Sequence, residues 1–101
     1  MAFLENKVAV VTRIRAKRGM REWLEKELIK MMSPLRSKEG CINYSIHRHS
    51  TDMDLLMTYE VWESMKEMVD DKEPSHITHF TRTHGKEIEG MPETTVWDLV
   101  V

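Results

Sequence analysis

An α+β fold of order βαββαβ is predicted by three observations: alternating apolar parity from Val8, a switch to helical spacing at Met20, and two β-rich runs parted by Ser50-Thr51-Asp52. That order is the split-βαβ, ferredoxin-like sandwich, whose helices cover one face of the sheet. The second face then needs a cover of its own, and a homodimer pairing sheet to sheet supplies it.

The first strand is expected from Val8 to Ala16, with Val8, Val10, Thr12, Ile14 and Ala16 on one face and Arg13 and Arg15 on the other. From Met20 the apolar residues Met20, Leu24, Leu28, Met31 and Leu35 fall on one helical stripe, so an amphipathic helix follows. Pro34 lacks an N–H and should bend or loosen its last turn, and Gly40 supplies the left-handed residue that ends it. Cys41 to His49 is the second strand, with Ile42, Tyr44 and Ile46 opposite Asn43, Ser45, His47 and His49. After the Ser50-Thr51-Asp52 turn, Leu55 to Trp62 completes a hairpin.

Ser64 and Glu67 fit a capping box that opens a short helix carrying Met65, Met68 and Val69. Asp70-Asp71 and Pro74 interrupt it, and a further helix is expected from near Ser75, with Ile77, Phe80, His84 and Ile88 on one side. Gly90 and Pro92 close that helix, and Thr94 to Val101 reads as the last strand.

Composition narrows the function classes. The 101 residues, read as a single domain over 1–101, carry 15 basic and 17 acidic side chains, a balance that excludes the basic footprint of a phosphate binder; no nucleic-acid partner is expected. No apolar run approaches the about 18 residues of a membrane span, and MAFLENKVAVV lacks a basic lead before a long apolar core. A protein without a membrane partner is expected. One cysteine, Cys41, suits a reducing compartment, so the cytoplasm is the expected location, with the thiol inert. Nine methionines and three tryptophans suit an adaptable cavity for flat ligands, a subunit contact, or simply a Met-rich core.

Three groups of residues carry candidate chemistry. Trp62 is a cavity wall or N–H donor, or else a core anchor between strand and helix, and Tyr44 and Tyr59 share that choice. Histidine is the obvious base near neutral pH: His76 opens the last helix, His84 shares the stripe of Ile77 and Phe80, and His79 falls to one side toward solvent. His47 and His49 sit two apart on one strand face, a spacing open to a metal, but no third ligand is at hand and no metal site is expected.

The segments Glu39-Gly40-Cys41, Tyr44, Glu60-Val61-Trp62-Glu63-Ser64 and Pro74-Ser75-His76 with Phe80 together resemble the antibiotic biosynthesis monooxygenase family. That family's pattern is an acidic residue, Gly and Cys opening a strand, an aromatic, ExWxS, and SxH or PxH before an aromatic. The resemblance implies a dimeric α/β barrel with a pocket between sheet and helices in each subunit. It also implies oxidation of a small aromatic, phenolic or quinol-like compound by molecular oxygen, with no cofactor. On that reading His76, His84 and Trp62 are the catalytic residues, and Tyr44, Tyr59, Met68 and Phe80 bind substrate. Two alternatives remain at this stage: a haem-degrading monooxygenase of the same fold, with haem as cofactor, and a non-catalytic homodimer that binds a small ligand. Many family members carry a His where Asp71 stands, so one candidate base is missing unless a desolvated Asp71 replaces it. The haem-degrading branch has an Asn in the first strand, a Trp in the helix after ExWxS and a later His; here no Asn lies between Lys7 and Lys17, Asp71 takes the Trp place, and Thr81 falls near the His place.

Overall fold

The computed structural model describes residues 6–69 and 76–101. Four strands, β1 (Val8–Arg15), β2 (Cys41–Arg48), β3 (Leu55–Trp62) and β4 (Glu93–Asp98), form one antiparallel sheet in the order β2-β3-β1-β4. Helices α1 (Arg21–Ile29), α2 (Met32–Arg36), α3 (Met65–Val69) and α4 (His76–His84) complete the α+β, ferredoxin-like fold. The β2–β3 hairpin inserts β3 between β1 and the strand that follows its helices, which is the split βαβ the sequence predicts.

The inner sheet face is laid out in three zones. At one end Val8, Val10 and Trp62 form a cluster, with Cys41, Met65 and Met68 packed against it. At the other end Ile14, Leu56 and Ala16 meet Leu24 and Leu28 of α1 and Ile77 and Phe80 of α4. Between them the strands place Thr12, Thr58, Glu60 and Tyr44, all fully or nearly fully buried. Strand parity explains this polar belt, because Thr58, Glu60 and Trp62 alternate onto one face, and the pairings Val10↔Glu60 and Tyr44↔Glu60 set Glu60 at its centre.

Four local expectations differ from the structure. The helix expected through Leu35 is two helices, because Pro34 has no N–H to give to the carbonyl of Lys30. The backbone tightens there instead: Met31 N–H donates to Leu28 O at 3.0 Å, and Pro34 falls in the first turn of α2, where an N–H would have no helical partner. Ile42 does not share a face with Tyr44 and Ile46, since a bulge between Cys41 and Asn43 turns Cys41 inward and leaves Ile42 47% exposed. Ile88 is buried but lies beyond α4, in a bridge with Ala16, because Glu89 N–H donates to Arg15 O and Lys17 N–H to Glu87 O. Finally, β4 ends at Asp98 opposite Val8, the first residue of its partner strand, and Val101 stays outside the sheet.

Gly40 is fixed twice over. Its φ is +86°, and a Cβ there would lie 2.6 Å from the Cβ of Glu67 at the start of α3. Its carbonyl accepts from Glu63 N–H at 2.8 Å, which ties the end of β3 to the start of β2. The Glu67 N–H donates to Ser64 Oγ at 3.3 Å, the cap expected for this helix.

The outer sheet face carries Ala9, Tyr59, Val61 and Trp97, with Tyr59 37% and Trp97 60% exposed around a shallow depression of about 270 Å³. Among the described residues no helix is long and apolar enough to cross a membrane.

Candidate functional site

Glu60 is the centre of the site. A carboxylate buried to 1% exposure is costly unless its oxygens find donors, and here both do. Trp62, two residues on and therefore on the same face, donates Nε1–H to Oε1 at 2.9 Å. His76, the first residue of α4, brings Nε2 to 2.8 Å from Oε2. An ionised carboxylate only accepts, so in this contact Nε2–H donates and Nδ1 is the nitrogen left on the other side of the ring. One carboxylate thereby orients an indole on a strand and an imidazole on a helix.

These groups form one wall of a cavity of about 680 Å³ between sheet and helices. Its floor is the hydroxyl pair Thr12 and Thr94, whose Oγ1 atoms are 3.1 Å apart, with Val10 and Val96 beside them. Met68, Ile77 and Thr81 close the helical side, and Lys38, Glu67 and Arg82 bring charge to the lining. Such a space is large enough for a small aromatic molecule, with apolar walls and a few convergent polar groups.

Tyr44 lies beneath this wall. Its ring is fully buried and stands nearly perpendicular to the His76 ring, with centroids 6.1 Å apart. Burial, and next the nearby Glu60 charge, push its hydroxyl well above the usual phenol range, so it stays protonated. Among the described residues neither the Tyr44 hydroxyl nor Thr58 Oγ1 makes a well-formed hydrogen bond, and the nearby Thr58 hydroxyl only partly offsets that rise. Cys41, also near Glu60, has its thiol pushed up chiefly by burial and then by that charge, which suits an unreactive packing residue.

The other expected site residues fall elsewhere. His84 and Phe80 do not line this cavity; they line a separate groove of about 500 Å³ on the helical side, and among the described residues the two hollows share His76 and Lys38. The His84 ring packs 5.1 Å from Trp23 and 4.5 Å from Phe80, and its Nε2 lies 3.6 Å from Glu27 Oε1. Tyr59 projects from the opposite sheet face, as its odd position beside Glu60 requires. Of the residues expected at the site, the structure therefore gathers His76, Trp62 and Met68 in the cavity, with Tyr44 behind them. Asp71 lies outside the described residues.

His47 and His49 are engaged separately. His47 Nε2 lies 2.8 Å from Ser45 Oγ, while His49 Nδ1 accepts from the Thr51 and Asp52 N–H groups in the turn. Among the described residues no group of three or more His, Cys, Asp or Glu is placed to hold a metal ion.

Sequence reasoning missed Glu60, Thr12 and Thr94 as site residues. Glu60 left a signal, since a charged residue at the parity of Trp62 in a β-rich run must be buried with it. The threonine pair left none, because only the β1–β4 register brings them together.

Comparison with known proteins places the fold. The model of the antibiotic biosynthesis monooxygenase family matches residues 7–84. A search of curated proteins finds no match. Among solved structures, a protein from Nitrosomonas europaea provisionally named an antibiotic biosynthesis monooxygenase is similar with a TM-score of 0.83 at 13% identity, covering 99% of this chain and 96% of that one. A Caulobacter crescentus protein with the same provisional name gives 0.83 at 17% identity, covering 98% and 94%. A Mycobacterium tuberculosis protein gives 0.79 at 24% identity, covering 94% and 96%. At these identities the structures speak for the fold alone, whereas the family match spans β1 to the end of α4 and includes Glu60, Trp62 and His76. The chain belongs to the antibiotic biosynthesis monooxygenase family.

Proposed function

We propose that this protein is a cofactor-independent monooxygenase that oxidises a small phenolic or quinol-like aromatic with molecular oxygen in the cavity beside His76. The observation that carries this reading is the buried Glu60 carboxylate holding Trp62 and His76 in the cavity wall. A wall of Met, Leu and Val alone would have favoured simple ligand binding.

The chemistry asks little of the protein. His76 takes the phenol proton, and the resulting electron-rich anion passes one electron to dioxygen. The radical pair joins as a C–O–O bond, and the terminal peroxide oxygen takes the proton back from His76 to give a hydroperoxide. O–O cleavage with loss of the ring C–H proton then releases water, so one phenol and one dioxygen give one quinone and one water. Glu60 stabilises the imidazolium formed in the first step, and the apolar walls keep bulk water from the anion.

The site belongs to a homodimer in this reading. The support is the outer sheet face, where Tyr59, Val61 and Trp97 leave apolar surface uncovered by any described helix. Sedimentation at micromolar concentration is expected to report about two chain masses, and a single chain mass would count against the dimer.

Oxygen uptake with a panel of phenols and quinols in metal-free buffer tests the activity. Turnover of at least one compound, abolished in His76→Ala, is expected. No uptake with any of them, together with tight haem binding, would shift the assignment to haem degradation.

A further inference from the structure

Thr12 and Thr94 face each other across the β1–β4 pairing, and their Oγ1 atoms lie 3.1 Å apart in the cavity floor. Two hydroxyls carry two protons, and the bond between them uses one. Among the described residues neither hydroxyl makes another hydrogen bond, so one O–H is left without an acceptor from the chain. Thr81, on the helical side of the same cavity, shows the contrast: its hydroxyl donates to Ile77 O at 2.8 Å and is spent. The Glu60 carboxylate is committed as well, one oxygen to Trp62 and the other to His76. Thr12 is fully buried and Thr94 is exposed, so the pair joins a fixed member to one that faces open space.

We infer that this hydroxyl pair sets the specificity of the cavity by binding a second oxygen of the substrate, at the far end of the ring from the hydroxyl that His76 deprotonates. The oxygenase reading is what places the first oxygen at His76, and the inference rests on it to that extent. Strand register sets the separation. Val10 pairs with Glu60 and with Val96, and Thr12 pairs with Thr94. The threonines therefore lie two residues along β1 from the Glu60 row, about 7 Å, and one to two strands across from Glu60, about 5–10 Å. A second oxygen ortho to the first stays at the His76 end, whereas one at the opposite end of the ring reaches the threonines. The preferred substrate is thus a 1,4-dioxygenated aromatic, and a simple phenol leaves the threonine proton unpaired. A site built to bond a substrate oxygen rejects the analogue that lacks it for this reason. With the para carbon already oxygenated, the C–O–O bond forms at the ring C–H beside the phenolate carbon. One quinol and one dioxygen then give one hydroxyquinone and one water.

The test is calorimetry on the full chain under nitrogen, comparing 1,4-dihydroxynaphthalene with 4-methyl-1-naphthol, in which a methyl group replaces the second hydroxyl. The diol should bind about tenfold more tightly, the scale of one neutral hydrogen bond that the analogue cannot make. Thr12→Val combined with Thr94→Val keeps both β-branched shapes and removes both hydroxyls, and the preference should fall to within about twofold. Thr94→Val alone, at an exposed position on the edge strand, should lower the preference in the same direction, while Thr94→Ser, which keeps the hydroxyl, should retain it. Equal affinities in the parent, no saturable binding of either compound, or a preference unchanged in the valine variants would overturn the proposal. No oxygen is present in this experiment. Absent turnover in air would sink the oxygenase reading and leave a measured preference standing, and equal affinities here would leave that reading untouched.

Discussion

The Trp62 indole N–H meets the Glu60 carboxylate at 2.9 Å along the same strand, which leaves the other carboxylate oxygen to His76 at 2.8 Å. The two bonds divide one buried charge between the strand and α4, so each partner limits what the other can do.

Glu60→Gln should separate orientation from packing. The amide keeps the size and one acceptor, but its NH₂ facing His76 favours the tautomer in which Nε2 accepts and Nδ1 holds the proton. Oxygen uptake should fall about 100-fold or more, within the range of lost general-base catalysis. Thermal unfolding should lose only about 1–3 kcal/mol. Trp62→Phe, by contrast, leaves the carboxylate and should preserve the tautomer; a pH–rate profile unchanged in Glu60→Gln would remove the orienting role.

Tyr44→Phe removes a buried hydroxyl that, among the described residues, makes no well-formed hydrogen bond and has only the Thr58 hydroxyl near it. A buried unpaired polar group costs about 1–3 kcal/mol, so the variant should be as stable as the parent or more stable, by up to about that amount. Chemical denaturation measures this directly. A loss of stability would show that the hydroxyl is bonded in solution.

Gly40→Ala should be destabilising by more than the about 1–3 kcal/mol of a non-glycine residue in left-handed backbone, because the new Cβ also meets Glu67 at 2.6 Å. Pairing it with Glu67→Gly should recover the steric part and leave the backbone part.

The Arg15–Asp52 pair sets a pH dependence at the β2–β3 turn. The Arg15 guanidinium, bonded to both carboxylate oxygens at 3.2 and 2.8 Å, holds Asp52 below the usual carboxylate range. A depressed carboxylate adds stability above its unfolded value of about 3.9, and that stability is lost as pH falls through the folded value. Asp52→Asn should therefore be less stable than the parent near neutrality. The difference should shrink below about pH 4 in melts taken across that range.

Much of the fold was legible because β3 is bounded by turn residues and alternates cleanly; the expected Leu55 to Trp62 is the strand observed. What was not legible arose from backbone partners distant in sequence. The bulge at Ile42 answers the register of β3, and Ile88 leaves its helical stripe because Ala16 and Arg15 capture the chain there. The site was half legible for a similar reason. His76 and His84 share a helix, but eight positions of α4 (84 minus 76) amount to about 12 Å of rise, enough to keep His84 out of the cavity that His76 reaches. Periodicity records the side of a helix and says nothing about which hollow lies beneath each turn.

The polar belt across the inner sheet face has a consequence for how the molecule opens. The cluster of α1 and α4 with Ile14 and Leu56 is large, while the one around Val8, Val10 and Trp62 is small and capped by Met65 and Met68 of α3. Few apolar contacts bridge the belt, so amides at the Trp62 end should exchange with solvent at a lower free energy than those under α1. The cavity thus sits on the seam between a durable half, which lends it Ile77 and Thr81 of α4, and a yielding half, which lends it Val10, Trp62 and Met68.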